Sequence, residues 1–247
     1  MVRGLDAARP DGPQIMILMR LLHERLEEAR EAGTIAPLAA FFGDNLKAAW
    51  RVEPRKALGC RMGCAHCCNA WVSAKAPEVL IAKRTVAPRD LEAVKASVEM
   101  AHARTATAGP DERAAMALPC PMLEDGRCRI YAGRPATCRT AVSLDAALCE
   151  QAFRPGAAAV DIPTPDFHIV MRRGYSIALA GALKRSGYAA ASYEFVAAMR
   201  AALGREDAEA AWLAGEDVFA GVQTDPGSDP FTHPKNRQVY ELAFAGW

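Results

Sequence analysis

Apolar residues recur at helical spacing through most of this chain. From Ile15 to Glu31 they line one face, with Glu24, Arg25, Glu27, Glu28 and Arg30 on the other, and Gly33 supplies a stop. Pro37 opens a second helix over Leu38–Trp50. A third is predicted over Pro77–Val86, with proline in its first turn. A longer one follows over Pro88–Thr107, with Asp90 and Glu92 near its positive end. Gly109-Pro110 breaks the pattern. Further helices are predicted over Ser143–Phe153 (Ser143 as N-cap), Phe167–Leu183, Ala189–Leu203 and Glu206–Val218. Residues 1–12 are expected to fray, Arg51–Leu58 reads as a loop, and the tail from Gly221 reads as a surface segment rich in Gly, Pro, Asp and Asn.

One stretch departs from the helical period. Cys120 to Tyr131 holds two short apolar runs around Asp125-Gly126, the signal for a tight hairpin with positive φ at its turn. Such a hairpin brings Cys120 and Cys128 together, and it is the only β element expected. The fold class that follows is mainly α: a helical protein with a metal-nucleated, cysteine-rich module containing a short β-hairpin. Residues 1–54 are read as N-terminal helices, 55–155 as the cysteine module and 156–247 as C-terminal helices and tail, all in one compact unit.

The chain has 247 residues, 51% of them hydrophobic, enough for a sizeable core. Its net charge of +1 lacks the basic excess of a nucleic-acid binder. The apolar run Ile15–Leu22 is interrupted by Arg20 and followed by His23, Glu24 and Arg25. It is too short for a membrane span and lacks the basic start and cleavage site of a secretion signal. A cytoplasmic protein is expected, with an unknown protein partner or substrate and neither nucleic acid nor membrane. In that compartment thiols stay reduced, so clustered cysteines point to metal rather than to a disulfide framework.

Eight cysteines carry the candidate chemistry. Cys60, Cys64, Cys67 and Cys68 fall in GCRMGCAHCC, and Cys120, Cys128, Cys138 and Cys149 follow. The gaps in Cys60-x3-Cys64-x2-Cys67 let three thiolates face one centre, as a soft metal or iron–sulfur cluster requires. Adjacent residues diverge, so Cys68 either serves a second site or packs. The Arg134-Pro135 turn returns Cys138 toward the hairpin, and Cys149 lies on a predicted helix as the weakest candidate ligand. Arg55, Lys56, Arg61, Arg127, Arg129, Arg134 and Arg139 sit in or beside the motifs, where they either compensate thiolates or remain solvated. His66 is read as a bystander, since the cysteines suffice. His23, His102, His168 and His233 pair with no cysteine by sequence. No catalytic residue and no organic-cofactor motif emerges.

GCRMGCAHCC and the later PCPMLEDGRCRIYAGRPATCR resemble the YkgJ-type cysteine-cluster family, a zinc- or iron-chelating domain. Pro119 to Arg139 follows the second family signature, and the resemblance covers about Cys60 to Cys149. The first gap here is three residues where the family is often written with two. The resemblance implies metal binding by the eight cysteines and leaves the reaction open. Flagellin lysine methylases are similar in the same cysteine domain, which favours a [4Fe–4S] cluster over zinc as the cofactor and a redox or protein-modification role. A non-catalytic zinc-stapled module and a metal carrier or sensor are the alternatives. The three-cysteine spacing also matches radical S-adenosylmethionine enzymes, but the chain lacks the strand–helix alternation of their barrel.

Overall fold

The structure is a computed structural model that describes residues 12–49, 58–157, 160–225 and 227–245, the side chains of 45–49 excepted. The frayed start and most of the Arg51–Leu58 loop expected from sequence lie outside the described residues. Helix α1 (Gly12–Ala32) is amphipathic. It buries Leu18, Met19, Leu22, Leu26 and Ala29 and stops at Gly33, whose φ of +64° suits only glycine readily. After α2 (Ala36–Ala49) the chain passes through a short 3-10 turn at His66–Asn69 into strand β1 (Ser73–Lys75) and helix α3 (Ala76–Arg84). The expected long helix divides in two: Pro88–Asp90 is a 3-10 turn, and α4 runs over Leu91–Thr105. Pro110 does not simply end structure; it opens α5 (Pro110–Ala115), where the Glu112 carboxylate accepts from the Gly109 N–H at 3.0 Å.

The hairpin forms as expected. Strands β2 (Leu123–Glu124) and β3 (Arg127–Cys128) pair across Asp125 and Gly126, with φ of +48° and +72°. Short helices α6 (Ala136–Thr140) and α7 (Ala146–Ala152) follow. Ser143 does not cap α7. Asp145 does, its carboxylate accepting from the N–H groups of Ala147 and Leu148 at 2.8 and 3.2 Å.

Helix α8 (Asp166–Arg185) is the central element and packs along α1. Gly181 makes this close approach possible, because a Cβ there would collide with the Met19 side chain. The predicted Ala189–Leu203 helix is corrected at its start. Ser192–Glu194 is strand β4, paired antiparallel with β1, and helix α9 occupies Phe195–Leu203. The hairpin is therefore not the only β element. The reason is tertiary: Glu194 N–H donates to the Gln223 carbonyl and Asp225 N–H to the Ser192 carbonyl, so β4 is held from both sides.

Helix α10 (Ala208–Leu213) is shorter than expected. The tail is also more than a surface segment. It carries a 3-10 turn at Pro230–Thr232 and helix α11 (Pro234–Ala243), which packs on α1 and buries Phe231, Ala243 and Phe244. One apolar cluster runs through α1, α3, α4, α8 and α9 and takes in Met122, Ile130 and Ala136 from the cysteine-bearing region. Among the described residues, no helix is long and apolar enough to cross a membrane, and both sheets are two-stranded and antiparallel.

Candidate metal centre

The cysteine-bearing chain leaves the helical core and returns to it at fixed points. At its start Gly59 N–H donates to the Ser143 carbonyl at 2.9 Å. A Cβ at Gly59 would come within 2.7 Å of the Ala146 nitrogen, so only glycine closes this junction. In the middle, Cys120 N–H donates to the Cys68 carbonyl at 2.8 Å, tying the hairpin strand to the first cluster. The buried Arg113 guanidinium donates to the Asn69 carbonyl at 3.1 Å. Below, Gly133 rests on α3, where an added Cβ would meet Thr85 Oγ1 at 2.5 Å and the Ile81 carbonyl at 2.9 Å. Buried Glu78 anchors α6 by accepting from the Ala136 N–H and its own helix start by accepting from the Lys75 N–H, both at 2.8 Å.

All eight thiols are free, Cys149 buried and the others half-buried. Their mutual influence divides them into two neighbourhoods. Burial raises the Cys60 pKa, and the charges of Cys64, Cys67 and Cys149 raise it further. Cys149 is raised by burial and by Cys64 and Cys67. In the other neighbourhood burial pushes Cys120 up to about 12, with Cys128 adding to it. Cys138 is held well above its ordinary value by burial and then by Cys120, Cys128 and Cys67. Cys67 belongs to the seam: its hydrogen bond to Cys68 is the largest cause of its strongly raised pKa, ahead of burial.

Three arginines oppose these shifts. Arg134 favours the thiolates of Cys67, Cys128 and Cys138, Arg139 that of Cys128, and Arg113 that of Cys120. Arg134 lies 3.9 Å from the Tyr131 ring centroid, and Arg139 donates to the Arg134 carbonyl at 2.9 Å, so both are held in place. Arg129 is instead occupied by Glu124. Arg55 and Lys56 lie outside the described residues. Arg113 does not emerge from the sequence, where Gly109-Pro110 reads as a break; Pro110 with Glu112 two positions on is the available signal of a helix start.

No group of three or more His, Cys, Asp or Glu side chains among the described residues stands ready to hold a metal ion as placed. The donor chemistry nevertheless fits a soft, thiophilic centre. The thiols form no disulfide, are partly shielded from water and are crowded enough to raise one another, with guanidinium groups beside them. Residues 59–153 match the CxxCxxCC family, described as a "putative zinc- or iron-chelating domain". This segment is similar to that domain over its matched length. Its limits agree with the closure described above, since Gly59 joins Ser143 at one end and α7 finishes at the other. The matched segment occupies under half of the chain, and α1, α2 and α8 to α11 lie outside it. No curated protein and no solved structure gives a significant match to the chain.

Proposed function

We propose that this protein uses its CxxCxxCC domain to hold two cysteine-ligated iron–sulfur centres, each taking four thiolates. The observation that carries the reading is the division of the thiols: Cys60, Cys64 and Cys149 in one neighbourhood, Cys120, Cys128 and Cys138 in the other. Cys67 and Cys68 lie between them. Their thiols meet in a hydrogen bond at the seam, and one of the pair completes each set. Four-thiolate ligation suits a [4Fe–4S] cluster, which supplies one-electron redox chemistry when bound. Arg113, Arg134 and Arg139 offset the excess negative charge of such sites. The resemblance to flagellin lysine methylases favours iron–sulfur over zinc and a supporting role in redox or protein modification.

Anaerobic purification followed by iron, sulfide and zinc analysis with a visible spectrum tests the reading. Iron and sulfide with broad visible absorption are expected. Zinc near two equivalents without visible absorption overturns the cluster and leaves a zinc-stapled interaction module. Release of the metal to an apo-acceptor would instead identify a carrier. A protein that binds neither metal overturns the whole reading.

A further inference from the structure

A cleft of about 650 Å³ opens beside the cysteine domain and uses none of its thiols. Its walls are β1, α6, the polar side of α8 and the segment running into α11. Two carboxylates line it, and both are already engaged. Asp225 accepts from the Ser73 hydroxyl at 2.6 Å, and Glu78 accepts the two backbone N–H groups that anchor α3 and α6. The cations are not balanced in this way. Arg172 and Arg173, adjacent on α8, and Lys235, in the first turn of α11, line the cleft, and among the described residues none has a carboxylate or carbonyl partner for its side chain. Lys75, only 2% exposed, sits at the floor with its ammonium donating to the Ala190 carbonyl and the Ser192 hydroxyl at 3.0 and 2.9 Å, one donor position short of its full set. The N-terminus of α11, capped by His233, adds its partial positive charge.

A second observation is independent of charge. Tyr175 lines the same cleft, is 5% exposed, and its hydroxyl has no hydrogen-bond partner among the described residues. A buried hydroxyl left unpaired costs about 1–3 kcal/mol, so such groups are normally satisfied by something. Free guanidinium groups, a free ammonium, a helix N-terminus and an unpaired hydroxyl around one cavity suit tetrahedral oxyanions. Arginine forks pair with phosphate oxygens two at a time.

We propose that this cleft binds a small phosphate-bearing molecule, with Arg172, Arg173 and Lys235 meeting the phosphate and the Tyr175 hydroxyl donating to it from within. The volume accommodates more than a single phosphate, and Trp71 and Ile177 offer apolar wall to the rest of the ligand. The wall formed by Ala136 and Thr137 belongs to the helix that carries Cys138, and Thr137 donates to the Ser73 carbonyl at 2.9 Å. An occupant therefore touches the back of the cysteine domain without contacting a thiol.

Inorganic pyrophosphate titrated into the full-length protein by calorimetry is the test. Saturable binding at one site with a dissociation constant below about 1 mM is expected. The Arg172→Gln, Arg173→Gln double variant, both on an exposed face, should weaken it about tenfold or more, and Tyr175→Phe severalfold. Arg89→Gln, an exposed arginine outside the cleft, should leave it unchanged. No saturable heat up to about 10 mM overturns the proposal. So does binding insensitive to the double variant, or citrate bound more tightly than pyrophosphate.

Discussion

At the scale of single residues, the protons of the thiols decide how the domain behaves. Each ligating thiol must lose its proton, and burial holds Cys60, Cys120, Cys128, Cys138 and Cys149 above the ordinary thiol value. Zinc added to metal-free protein in weak buffer at neutral pH should therefore release about four protons per filled site, and uptake should strengthen as pH rises. The sign for the metal-free fold is opposite. A group whose pKa is raised by folding contributes its stability below the unfolded value and loses it as pH climbs. For Cys120 that window runs from about 9 to about 12. Thermal unfolding should show the metal-free protein losing stability across this range while the metal-loaded protein keeps it; parallel curves would count against thiolate ligation. The seam gives a sharper expectation. Cys67→Ser and Cys68→Ser should each lower metal content by about half, and the double variant should abolish it, as two four-thiolate sites require. The cysteines and the Asp125-Gly126 turn were legible in the sequence because they are local signals. The influence of Arg113 on Cys120 was not, because Arg113 sits on α5, where Gly109-Pro110 reads as a break, and only tertiary packing brings it to the thiol.

At the scale of elements, the domain depends on how short pieces dock. Asp145 caps α7, the helix that carries Cys149 and packs against the His66–Asn69 turn. Asp145→Ala should cost about 1 kcal/mol and loosen Cys149, read as lower melting temperature and faster metal loss to a chelator. Gly133→Ala should be more costly, about 1–3 kcal/mol, since its Cβ would press on Thr85 and the Ile81 carbonyl of α3. A melting temperature equal to that of the parent protein would show that this junction yields freely. The sequence period was correct for α1, α3 and α8, whose apolar faces are continuous. It failed at Ser192–Glu194. That segment is extended because β1 lies on one side and residues 223–225 on the other, partners that are all more than 25 positions away in the chain.

At the scale of the molecule, the cysteine domain is sewn into a helical body to which it contributes α3 and α4 and the rest of the chain contributes α1, α8, α9 and α11. Helix α11 closes that body: Arg20 donates to the Ala243 carbonyl at 2.5 Å, Phe244 meets the His23 ring edge-on, and Phe231 is buried. Ending the chain before Pro230 should cost at least ~3 kcal/mol, the loss of a buried aromatic anchor, and should appear as lower melting temperature and early proteolysis of α1. Removing metal should act elsewhere. Residues 58–72 and 117–133 contain little regular structure and should become protease-sensitive, while far-ultraviolet circular dichroism retains most of its helical signal.

The sequence by itself determined the class of fold, the stop of α1, the hairpin and the thiol-rich chemistry of the domain. Each rests on a period, a turn pair or a spacing within a few residues, where physics is local. Only the tertiary structure decided that Cys149 lies within electrostatic reach of Cys60 and Cys64, that Cys138 lies within reach of Cys120 and Cys128, and that the tail folds back as α11. It also decided that Arg172, Arg173, Lys235 and Tyr175 share one cleft. These are meetings of residues far apart in the chain. Their free energy comes from burial and from charges brought close, and no local pattern encodes which distant partner will be there.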